Sequence, residues 1–173
     1  MSLMLDKELR VQIKAGQGPI EGLADAAIDT DIFGCAIDLH VGEVFRPDKK
    51  GLEAGSADNP YLLPVTLDEG ATAIIRTAEK FKLGKNQAAL VFPASRVSIQ
   101  GLLMTNPGHV DPGYQGPVHV TVINMGRSPY PLKRGDRLLR ALIFRLDGDV
   151  DSFVPPPDPA KPAKPITSEL LDK

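Results

Sequence analysis

The chain has 173 residues, the length of one domain at roughly 100–200 residues each, with 20 Lys and Arg against 22 Asp and Glu. A formal net charge of −2 supplies no basic field for nucleic acid, and the single cysteine, Cys35, excludes an internal disulfide and any multi-cysteine zinc site. No apolar run approaches the roughly 20 residues of a membrane span, and no signal peptide is visible, so the expectation is a cytoplasmic protein that binds neither membrane nor nucleic acid.

Met1 to Leu3, followed by a second methionine, read as an expression remnant and are set aside. Leu5, Leu9 and Ile13 recur every four residues behind Asp6, and Gly16 offers a stop, which predicts one short N-terminal helix. The period then changes. Cys35, Ile37, Leu39 and Val41 alternate with Ala36, Asp38 and His40, predicting a strand with one set on each side. Ala71–Ile75, Ala88–Phe92, Val118–Ile123 and Leu138–Leu146 read as further strands, the last broken only by Arg140 and Arg145. Turn clusters separate them at residues 47–51, 67–70, 83–86, 106–108 and 133–136, built from the chain's 16 Gly and 16 Pro with Asp, Asn and Lys. Many short, regularly punctuated strands predict a mainly β sandwich, barrel or jelly roll rather than βαβ units. The stretch Val154–Pro165 holds six prolines and reads as an extended arm leaving the body, so the expected division is a β domain over 4–150 and a Pro-rich arm over 151–173.

Common catalytic machinery is missing from this sequence: no Gly-x-Ser-x-Gly elbow, Walker loop, His-Glu-x-x-His or Rossmann glycine pattern occurs, and one cysteine cannot build a zinc deaminase site. Chemistry-bearing residues concentrate between Pro93 and Gly116. Asp111 precedes Pro112-Gly113, which puts its carboxylate at a strand–loop junction where it could orient and deprotonate a water. Tyr114 offers a flat apolar wall. Ser95, Arg96 and Ser98 supply hydroxyls and a forked cation suited to phosphate oxygens.

From Leu5 to Leu146 the chain resembles the dCTP deaminase/dUTPase superfamily. The opening helix and Ala36-Ile37-Asp38-Leu39-His40-Val41-Gly42-Glu43-Val44-Phe45 are similar to the deaminase branch, whose first motif is roughly S-V-D-L-R-L-G-x-x-F. Thr77-Ala78-Glu79 with Leu83 resembles the piece before the second motif. Val110-Asp111-Pro112-Gly113-Tyr114-Gln115-Gly116 matches the third motif, and Leu132 with Gly135-Asp136-Arg137 through Phe144 resembles the fourth. The resemblance implies a dUTPase-like distorted jelly-roll or β-barrel with a short N-terminal helix, assembled as a homotrimer with active sites between subunits. It implies a pyrimidine deoxynucleoside triphosphate as substrate, with Mg²⁺ held through the substrate phosphates. Asp111 falls on the water-positioning aspartate and Tyr114 on the aromatic that packs against deoxyribose. Ser95, Arg96, Ser98, Gly108, His109, Thr121 and Arg140 join Tyr114 as candidate substrate contacts.

The chain also departs from the pattern. The deaminase glutamate position is Thr121, which cannot serve as a general base near neutral pH, and no carboxylate lies between Val118 and Asn124. The second motif, an Arg-Ser-Ser-Leu type run, aligns either as Ala94-Ser95-Arg96-Val97, with Ile99 at a further Arg, or as Arg96-Val97-Ser98-Ile99. The Gly135–Phe144 run is one residue longer than the family pattern, its phosphate-reaching Gln is missing, and the glycine-rich fifth motif has no match in 155–173. Asp111 with Tyr114 and the absence of the deaminase glutamate favour hydrolysis of dUTP to dUMP and pyrophosphate. The alternatives are dCTP deamination to dUTP and a relative that binds nucleotide without turnover.

Overall fold

The computed structural model describes residues 1–47, 61–105 and 108–151. In chain order the elements are β1 (Ser2–Leu3), α1 (Asp6–Lys14), β2 (Ile20–Glu21), α2 (Asp25–Asp31), β3 (Ile32–Phe33), β4 (Ala36–Phe45), β5 (Val65–Leu67), β6 (Thr72–Thr77), β7 (Lys80–Lys82), β8 (Gln87–Pro93), α3 (Ser95–Ile99), β9 (Leu102–Met104), β10 (His109–Val110), β11 (Gln115–Gly116), β12 (His119–Asn124), β13 (Tyr130–Leu132) and β14 (Arg137–Arg145). Strand predominates, as the punctuation predicted.

The main sheet runs β10-β8-β14-β4-β6-β12-β9, with β1 added to β14 and β3 to β4. Laid flat, its two edges would lie six strand spacings apart, about 29 Å. Yet Met104, the end of β9, and His109, the start of β10, are joined by five Cα steps, at most about 19 Å. The connection therefore forces the sheet to curl until its edges face each other across a seam, giving a half-barrel. Inside the curl sit Ile37, Leu39 and Val41 of β4, Ala73 and Ile75 of β6, Ala89 and Val91 of β8, Val120 and Val122 of β12, and Ala141 and Ile143 of β14, all buried. Two smaller sheets, β11-β7-β2 and β13-β5, complete the strand pairing among the described residues.

Several expectations need correction. Met1–Leu3 are part of the fold: Ser2 and Leu3 pair with Arg145 and Phe144, and the terminal ammonium meets Asp147 at 2.5 Å. The first helix begins at Asp6, with Leu5 as its extended, exposed cap. Only Leu9 of its predicted stripe is fully buried; Ile13, in the last turn before Gly16 (φ +70°), is partly buried against the core. Helix α1 is not alone, since α2 and α3 are also helical. In β4, Asp38 is buried along with the alternating apolar set, because Arg140 Nε donates to Asp38 Oδ1 at 2.8 Å and covers it. The additional residue in the Gly135–Phe144 run is absorbed by a bulge: the register of β14 on β4 shifts between Arg137 and Leu139. The Pro-rich arm from 152 onward lies outside the described residues.

Candidate active site

Strand β10 adds to the edge of β8, pairing His109 with Leu90 and Val110 with Ala89. Val110 points into the core, so His109 and Asp111, one position to either side, share the outer face. Asp111 has a side chain 53% exposed, and His109 Nε2 lies 3.6 Å from its Oδ1. Gly108 makes this docking possible. Its carbonyl accepts from Val91 N at 2.6 Å, and a Cβ there would sit 1.5 Å from the Val91 carbonyl oxygen. After Asp111, Pro112 and Gly113 (φ +79°) form a type II turn, closed by Tyr114 N–H donating to the Asp111 carbonyl at 3.2 Å. The turn is anchored by Gly113 N to the Gly84 carbonyl (3.1 Å) and Leu83 N to the Tyr114 carbonyl (3.0 Å). Tyr114 is half-buried, its hydroxyl donates to the Pro117 carbonyl at 2.6 Å, and burial pushes the phenol pKa up. Its ring is thus a fixed wall beside an accessible carboxylate.

Across the seam, Thr105 N and Oγ1 both donate to the Thr121 carbonyl, at 2.8 and 3.2 Å. Thr121 therefore stands next to the start of the connection that ends at Gly108. His119 shares the half-buried face of β12 with Thr121, and burial first, then Arg76, lowers its pKa. It is a neutral imidazole at ordinary pH, on the strand where a carboxylate was sought. Sequence reading passed over it because neither its burial nor its cross-strand neighbour Arg76 is visible in a local pattern.

Helix α3 opens at Ser95 after extended Ala94, and its buried residue is Val97, 2% exposed, whereas Ile99 is 85% exposed. The motif's apolar position needs a core contact, so the helix fits the Ala94-Ser95-Arg96-Val97 register. Arg96 donates to the Arg137 carbonyl. Arg140 lies on the outer face of β14 opposite Phe92 and is committed to Asp38. Asp111 follows β10 at the level of Ala88, while α3 begins seven residues further along at Ser95, about 23 Å of strand. A single chain thus gathers Gly108, His109, Asp111 and Tyr114 at one end of β8, and Ser95, Arg96 and Ser98 at the other. It does not bring the two groups together.

Among the described residues no three His, Cys, Asp or Glu converge as metal ligands. The donor set around Asp111 therefore provides no all-protein cage, but it fits Mg²⁺ arriving on a triphosphate, since that ion is commonly held by one or two carboxylates plus phosphate oxygens.

The dCTP deaminase-like family matches residues 3–146. The deoxyuridine 5'-triphosphate nucleotidohydrolase of Leifsonia xyli subsp. xyli (strain CTCB07) is 38% identical over 94 residues, 53% of this chain and 60% of that protein. The same-named protein of Thermobifida fusca (strain YX) is 32% identical over 113 residues, 64% of this chain and 60% of that one. The chain thus spans about 60% of the length of these curated relatives. Among solved structures, the 2'-deoxycytidine 5'-triphosphate deaminase from Agrobacterium tumefaciens superposes with a TM-score of 0.66 at 16% identity, covering 82% of this chain and 47% of that one. That likeness establishes the fold.

Proposed function

This chain belongs to the dCTP deaminase-like family, and we propose that it acts on pyrimidine deoxynucleoside triphosphates, hydrolysing dUTP to dUMP and pyrophosphate. The observation that carries the reading is Asp111: a carboxylate open to solvent, set by a rigid turn beside the fixed ring of Tyr114. In the proposed step Asp111 accepts a proton from a water as the water oxygen bonds to the α-phosphorus. The bond from the α-phosphorus to the α,β-bridging oxygen breaks, and pyrophosphate leaves with that electron pair. His109, whose Nε2 lies 3.6 Å from Asp111 Oδ1, borders the site as a substrate contact. Mg²⁺, carried on the triphosphate and met by Asp111, would neutralise phosphate charge. Tyr114 packs against the deoxyribose, and Gly108 and Thr121 border the base.

Ser95, Arg96 and Ser98 contact phosphate from a neighbouring protomer, which is how a site divided along the length of β8 becomes whole. A homotrimer is the proposed assembly, supported by the outward apolar residues Leu90 and Phe92 of β8 and Phe33 of β3, all solvent-facing in one protomer. Arg140 remains paired with Asp38 and shapes the adjoining surface. No helix among the described residues is long and apolar enough to cross a membrane, and a cytoplasmic setting suits the nucleotide substrate.

Purified protein incubated with dUTP or dCTP and Mg²⁺, assayed for pyrophosphate and ammonia, tests the reading. Pyrophosphate from dUTP is the expected result. Ammonia from dCTP instead would reassign the site to deamination. Neither product, with retained binding of a non-hydrolysable dUTP analogue, would leave a nucleotide-binding relative without turnover.

A further inference from the structure

We propose that His40 is a protonation-dependent clasp that fastens the α2–β3 segment to the half-barrel. His40 belongs to β4, and charged residues from three other places converge on it: Glu79 from the turn after β6, Asp31 at the end of α2, and Arg137 at the start of β14. The side chains of Glu79 and Asp31 are 3% and 0% exposed, so neither carboxylate can rely on water. Glu79 grips His40 twice, its Oε2 accepting from His40 N at 2.9 Å and its Oε1 lying 2.7 Å from Nδ1. Nε2, the other ring nitrogen, faces Asp31 Oδ2 at 3.5 Å. That oxygen receives no hydrogen bond, whereas Asp31 Oδ1 is served by Arg137 at 2.8 Å and Thr30 Oγ1 at 3.2 Å.

With His40 charged, two carboxylates meet two cations. Because Glu79 retains the proton on Nδ1, the proton that leaves comes from Nε2. Its lone pair then confronts a buried carboxylate oxygen, and the link to Asp31 becomes repulsive while the link to Glu79 survives. The Glu79 hydrogen bond, with the charges of Glu79 and Asp31, raises the His40 pKa above 6.5 against the opposing effects of burial and Arg137. A raised folded pKa means the stabilisation is fully present below about 6.5 and is lost as pH climbs through the raised value. Beyond His40, the segment is held by buried Ile28 and Ile32, the Arg137–Asp31 ion pair, the two-residue β3–β4 pairing, Arg10 to the Ile32 carbonyl, and the exposed Lys14–Asp29 pair. Loss of the His40–Asp31 attraction therefore loosens Asp25–Phe33 against these remaining anchors, while β8 and β14 do not depend on it.

Hydrogen exchange read by mass spectrometry on the full chain between pH 6 and 9, corrected for intrinsic rates, alongside an NMR titration of the His40 ring, tests this clasp. Protection of residues 25–33 should fall as His40 titrates, by about tenfold for each pH unit by which its midpoint exceeds that in Asp31→Asn, where Glu79 still holds the ring. Protection in β8 and β14 should not change. His40→Arg, a permanent cation, should lose the pH step and keep the protection, and His40→Gln should show low protection throughout. Should the arginine variant fail to fold, Asp31→Asn should lower the His40 midpoint and abolish the step. Constant protection across the wild-type titration, or an undiminished step in His40→Arg or Asp31→Asn, would overturn the proposal.

Discussion

Asp111 and Asn differ by one atom in a half-exposed side chain on a turn whose hydrogen bonds are all made by backbone. Asp111→Asn should therefore leave folding stability within about 0.5 kcal/mol. It removes the proton acceptor, so pyrophosphate release from dUTP should drop at least about a hundredfold. Thermal unfolding and pyrophosphate assay on the same preparation separate the two effects, and unchanged turnover would dismiss Asp111 as the base. The position of this residue was legible because Pro112 and Gly113 dictate a turn locally. The need for Gly108 was not, since it arises from the approach of Val91 on a different strand. The same holds for His40 and Glu79, which are 39 residues apart in sequence and meet only when β4 and β6 pair.

At the level of elements, α3 separates two alignments that the sequence left equal. Val97→Ala removes two buried methyl groups and should cost about 1–3 kcal/mol in denaturant unfolding. Ile99→Arg, at an exposed position, should cost no more than about 0.5 kcal/mol. The reverse order of sensitivity would favour the register in which Ile99 is the apolar anchor. Helix α2 escaped prediction because seven residues rich in Asp and Ala carry one buried apolar side chain, Ile28, too little for a periodic signal. The long strands read clearly. In β14 even the interruptions make sense, with Arg140 paired to Asp38 and Arg145 to Glu8. The bulge near Leu138 was foreshadowed by the added residue in that run, although its length alone could not say where the strand would absorb it.

For the molecule as a whole, the curl of the sheet decides which side chains face inward, and it leaves an apolar strip on the convex side. Leu90 is 44% and Phe92 36% exposed in one protomer, on the strand that separates Asp111 from Ser95. A neighbouring copy seated on this strip would bury those residues and carry its own Ser95–Ile99 helix toward Asp111, joining what one chain keeps apart. If so, light scattering after gel filtration should return about three protomer masses for the wild type. Leu90→Glu alters only a solvent-facing side chain of the isolated protomer, so the monomer should still fold. In the assembly the same change buries an unpaired carboxylate at each contact, which should shift the mass toward one protomer. Turnover should fall with the loss of mass, because the phosphate-binding group would no longer reach the base. A Leu90→Glu protein that stays trimeric, or a monomer that retains full dUTP hydrolysis, would show that the catalytic groups are completed along some path other than this face of β8.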